Sequence, residues 1–67
     1  MERESAIKEV HDQIECMARL HLLHGLYQSE GFRQSRERVS RLIREHSVDV
    51  KKELSPQVGM LYRRYFD

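Results

Sequence analysis

The spacing of apolar residues in this chain predicts an all-α fold: an antiparallel two-helix hairpin closed by a short C-terminal third helix. Three observations carry that reading. Apolar residues recur at gaps of three and four over two long stretches. One short glycine-led connection separates those stretches, and a single Ser-Pro pair precedes a third, shorter periodic run. With 3 Gly and 1 Pro in 67 residues, few positions interrupt a helix.

The first helix is predicted from about Glu4 to His24. Ile7, Val10, Ile14 and Met17 alternate in gaps of three and four, the seam of a helix packed on a partner, and His21 and His24 continue the line. A second apolar line, Leu20, Leu23 and Tyr27, is rotated from the first and predicts contact with a further element. Gly25 follows two imidazoles and fits a left-handed cap that ends the helix.

Residues 26–30 make a short polar connection in which Ser29 is placed to cap the next helix, and so short a loop implies antiparallel neighbours. In the second helix Phe32, Val39, Leu42, Ile43 and His46 form the seam, with polar Ser35 standing between Phe32 and Val39. Val48-Asp49-Val50 lowers helix propensity, yet Lys51 to Leu54 are read as carrying the helix on until Ser55-Pro56 stops it. Serine as N-cap and proline at the first helical position then start a third helix with Val58, Leu61, Tyr62 and Tyr65 on one side. Residues 1–67 are read as one helical domain, with the hairpin over 4–54 and the short helix over 56–66.

A domain this size removes only about 60% of its unfolded surface on folding, so the core is small. Twelve basic and eleven acidic side chains give a net charge of +1, too balanced to favour nonspecific attraction to nucleic acid or an anionic membrane. One cysteine, and no apolar run of the length a signal or span needs, set a cytoplasmic location and no membrane as the expectation.

Three chemistries suggested by residue type are set aside. His21 and His24 share a helical face, but zinc needs three or four ligands; His11 is almost four turns from His24 and Cys16 points off the face, so no metal site is expected. Cys16 lacks an adjacent base and reads as a half-buried thiol. Arg33, Arg36, Arg38, Arg41 and Arg44 invite a nucleic-acid reading, which Glu37, Glu45 and their spread around the helix dilute, so a solvated helix with internal ion pairs is favoured. Tyr62, Arg63, Arg64, Tyr65 and Phe66 are expected to dock on the hairpin, because so short a chain needs its aromatics in the core.

The middle of the second helix is different. Gln34, Ser35, Glu37, Arg38 and Arg41 form a polar patch flanked by apolar residues, and polar seam positions weaken a small core unless the face serves a partner. From "IKEVHDQIECMARLHLLHGL" through "SRERVSRLI", about residues 7 to 43, the chain resembles the small sporulation-regulatory aspartyl-phosphate phosphatases of bacilli, the stage-zero E-type family. These are helical hairpins with a Ser-Gln-Glu-Leu-Asp motif and an aliphatic pair on the second helix. Aligned without gaps from Gly25, Ser35 and Glu37 match the motif's serine and glutamate, whereas Arg36, Arg38 and Val39 replace its glutamine, leucine and aspartate. Aligned from Leu42-Ile43 with one extra loop residue, Val39 takes the leucine place and Ser40 the aspartate place. This second register keeps the apolar pattern and is preferred; the aspartate is absent from both.

The resemblance implies a phosphorelay regulator that docks on the receiver domain of a phosphorylated response regulator and promotes hydrolysis of its aspartyl phosphate. It implies no cofactor of the chain's own, since the receiver domain brings the magnesium. Gln34 and Glu37 are then the candidates for orienting water, and Ser35, Arg36, Arg38, Ser40 and Arg41 the candidates for partner contact. Loss of the aspartate leaves binding without turnover as one form of this reading. A hairpin that homodimerises, or serves as an adaptor with no active site, is the alternative.

Overall fold

The structure, a computed structural model, describes residues 2–25, 27 and 29–66, so Leu26 and Gln28 of the connection lie outside the described residues. It is the all-α hairpin with a short C-terminal helix. Helix α1 spans Arg3–His24, α2 spans Glu30–His46, α3 is a single turn at Val50–Glu53 and α4 spans Pro56–Phe66.

The local signals work as their chemistry dictates. Gly25 closes α1 in the left-handed region at φ 63°, its N–H donating to the carbonyls of His21 and Leu20. The Ser29 hydroxyl accepts from the Phe32 N–H at 3.3 Å, satisfying one of the free donors at the start of α2. The Ser55 hydroxyl does the same for Val58 at the start of α4.

Ala6, Val10, Ile14, Met17 and Ala18 of α1 are buried against Phe32, Val39 and Leu42 of α2 and Val58 and Tyr65 of α4. Ile43 is partly buried at the rim of that core. The C-terminal aromatics dock as expected: Tyr65 is 4% exposed, with its ring edge-on to Phe32 at 5.2 Å. Its hydroxyl shares a 2.9 Å hydrogen bond with Nδ1 of His21. His11 ties the far end of α4 to α1. Its Nδ1 lies 2.8 Å from the Ile7 carbonyl, which can only accept, so Nδ1 carries the proton and Nε2 is left to accept the Ser55 N–H at 3.1 Å.

Helix two differs from expectation at its end. It stops at His46, with Ser47 left-handed at φ 51°, rather than running on towards Leu54. The reason lies in the core. A helix continued through Ser47 would carry Val48 onto the side of Glu37, Arg41 and Arg44, which are exposed. Turning at Ser47 buries Val48 instead and returns Leu54 to the core. Two groups stabilise the break. The Asp49 carboxylate accepts from the Lys51 and Lys52 N–H groups, and Arg3 donates to the carbonyls of His46 and Ser47 while pairing with Glu53. A guanidinium at the carbonyl end of α2 also complements the helix dipole.

The end of α1 is corrected as well. His24 is exposed and does not extend the seam. Of the second apolar line Leu20 packs on the core and the half-exposed Tyr27 sets its ring against Phe32 and Tyr65, while Leu23 is 73% exposed, with Leu22 beside it at 61%. Helix α4 meets the opposite side of α1, through His11 and His21, and so never covers Leu23.

Candidate functional site

Helix α2 presents one side to the core and the rest to solvent. Phe32, Val39 and Leu42 define the inner side. One turn or two along from each other on the outer side stand Arg33, Glu37, Arg41 and Arg44, all exposed, as helical periodicity requires.

The structure divides the sequence-derived candidates among three settings. Glu37, Ser40 and Arg41 line a shallow groove of about 400 Å³ together with Arg33, Arg36 and Arg44. Gln34 lies beside Glu37 in an adjoining depression with Glu30 and Arg33. Arg33 and Glu37 are thus common to both. Ser35 and Arg38 line the cleft between the hairpin helices, with Gln13, Cys16, Leu20 and Gly31, and Gln34 lines this cleft too.

Arg38 is already engaged. Its Nε and one terminal nitrogen donate to the same oxygen of Glu9, at 3.0 and 2.7 Å, across the two helices. Arg36 leans on α4, its guanidinium carbon 5.5 Å from the centre of the Phe66 ring, an attraction between cation and ring quadrupole. That ring also stacks on Tyr62 at 4.5 Å. Gln34 makes only a long 3.5 Å contact to Glu30.

The expected internal ion pairs of α2 are not what the structure brings together. Among the described residues the salt bridges are Arg3–Glu53 and Arg38–Glu9, and both reach to another element. Arg33, Arg36, Arg41 and Arg44 therefore keep their charge unpaired within the described residues, and they share one groove instead of spreading around the helix. Arg33 and Arg44 were absent from the candidate set. Their signal was legible, since positions 33, 37, 40 and 44 fall on one helical face.

What this arrangement can do chemically is limited and specific. Exposed guanidiniums donate in planar forks that match carboxylates and phosphates. Glu37 has no side-chain partner among the described residues, and it stands with Gln34 one turn away on the same side, where either can hold a water. No three His, Cys, Asp or Glu side chains converge at metal-binding range among the described residues. His21 is bonded to Tyr65 and His24 is exposed. No described helix is long and apolar enough to cross a membrane. Compared with known proteins, the chain matches no family model, no curated protein and no solved structure.

Proposed function

We propose that the protein is a phosphorelay regulator that docks the outer side of α2 on the receiver domain of a phosphorylated response regulator. The observation that supports this reading most is the presentation of Gln34, Glu37, Ser40 and Arg41 around one outward patch, with Arg41 unpaired among the described residues. Leu22, Leu23 and Tyr27, exposed at the turn end of the hairpin, offer apolar surface for a partner that extends past the patch. Arg41 pairs with the phosphoryl oxygens or neighbouring acidic groups.

In the hydrolytic form, Gln34 or Glu37 orients a water opposite the leaving carboxylate. The water oxygen bonds to phosphorus as the phosphorus–carboxylate oxygen bond breaks, giving inorganic phosphate and the free aspartate of the partner. The receiver domain would hold a magnesium ion that would supply charge neutralisation at the phosphoryl oxygens. Ser40 stands at the place of the family's aspartate, and docking through the patch does not depend on turnover. Ser35 and Arg38 act in it indirectly, through the contact between α1 and α2.

The test is capture from a bacillus-type lysate with and without an aspartyl-phosphate analogue, with the captured chains identified, followed by phosphate release from the captured receiver domain. The parent should retain a receiver domain only with the analogue present. Arg41→Glu combined with Gln34→Ala should lose it while helicity and melting stay unchanged. If this double variant binds every partner of the parent equally well, the patch is a solvated face.

A second reading is kept because one observation favours it. Leu22, Leu23 and Tyr27 expose much of their apolar surface at one end, and pairing of two hairpins into a four-helix bundle would cover it. Concentration-dependent sedimentation that is abolished by Leu23→Glu would support this adaptor or dimer function.

A further inference from the structure

From the arginine row of α2 we infer a second binding activity, independent of the receiver-domain reading: sequence-independent attachment to the phosphate backbone of duplex DNA. Arg33 and Arg44 are eleven residues apart, about 16 Å along the helix at 1.5 Å per residue, with Arg36, Ser40 and Arg41 between them in the same groove. A single phosphoryl group is saturated by one or two guanidinium forks. Four in a row match a ligand that repeats its charge, and duplex DNA carries one phosphate about every 1.7 Å of its axis.

The lining points the same way. Arginine and serine are the side chains that hold phosphate oxygens, and no apolar side chain lines the groove. Salt bridges of the described residues leave these four arginines free for an external anion. Duplex is favoured over single strand because strand-binding platforms need open aromatic faces to stack bases. The aromatic ring that touches the groove residues, Phe66, is already engaged by the Arg36 guanidinium and the stacked Tyr62 ring. B-form DNA is favoured over an RNA duplex because its major groove, about 12 Å wide, admits an exposed helix, while the A-form major groove is too narrow.

Glu37 is the opposing term. It is the one carboxylate in the groove lining and repels phosphate, so it holds the affinity down; Glu30 and Glu45 of the same helix stand outside that lining. This gives the proposal a signature that a general basic surface lacks.

The experiment is anisotropy of a labelled 20-base-pair duplex of arbitrary sequence, titrated with the full chain between low and physiological salt. Four phosphate contacts predict that log affinity falls against log salt with a slope near −4, at about 0.9 per contact. Arg33→Gln with Arg44→Gln should weaken binding about tenfold or more at low salt and reduce the slope by about two. Glu37→Gln should tighten binding, while in the receiver-domain assay it removes one of the two candidate water-orienting groups, so the readings separate on one variant. Arg63→Gln with Arg64→Gln, on α4 outside the groove, should bind as the parent does. Circular dichroism of each variant should match the parent. A slope near zero, undiminished binding by the α2 double variant, or equal loss in the α4 double variant overturns the proposal. So does equal competition by polyglutamate at matched charge, which would assign the row to an acidic protein surface.

Discussion

The inner and outer sides of α2 obey opposite rules. Phe32, Val39 and Leu42 lie within the core, where Phe32 meets Tyr65 and Tyr27 edge-on. Arg33, Glu37, Arg41 and Arg44, at the same helical spacing, carry charge and have no partner among the described residues. One helix therefore holds the fold with one side and offers the other. The difference teaches where to look for each effect of mutation: inner-side changes should register in stability, outer-side changes only in binding.

The largest effect should come from Ile14, which is fully buried on α1 where it supports the inner side. Ile14→Ala should cost about 2–5 kcal/mol through lost contact and a residual cavity, much of the total stability of a domain this small. Chemical denaturation measures it, and a neutral result would mean the seam is wrongly assigned.

Next come the two left-handed caps that frame α1 and α2. An added Cβ at Gly25 meets nothing within 4 Å, so Gly25→Ala tests backbone strain alone. It should destabilise by about 1–2 kcal/mol. Ser47 at φ 51° already bears such strain, and Ser47→Gly should stabilise by up to about 1 kcal/mol. Opposite signs in thermal melting are expected; like signs would show that contacts, not backbone, dominate at these ends.

Tyr65→Phe keeps the ring that packs on Phe32 and deletes the bond to His21. The expected cost is about 0.5–1.5 kcal/mol. A larger loss would reveal that the hydroxyl, and not the ring, anchors α4.

The smallest stability change should follow Arg41→Glu with Gln34→Ala, within about 0.5 kcal/mol of the parent. Both side chains are exposed on the outer side. A clear drop in melting temperature would break the comparison, because the outer side would then be part of the fold.

Periodicity, capping residues and the Ser-Pro pair were enough to place the helices, the hairpin and most of the core, since each of these acts within a few residues of chain. Val10, Ile14 and Met17 are buried where their spacing puts them, and α1 and α4 stop or start where Gly25 and Ser55-Pro56 direct. Less of the candidate site was legible. Arg38 looked like a partner for an external group, and its actual partner is Glu9, 29 residues away in sequence. Leu23 looked covered, but α4 crosses α1 on another side.

The end of α2 shows the division most clearly. Local propensity allowed the helix to continue past Ser47, and burial of Val48 and Leu54 required it to turn. By itself the sequence determined which residues can share a helical face, because the α-helix has a fixed pitch. The tertiary structure decided which faces are covered, which charges are paired, and that four arginines stand together, because those outcomes depend on where elements as far apart as His21 and Tyr65 come to lie.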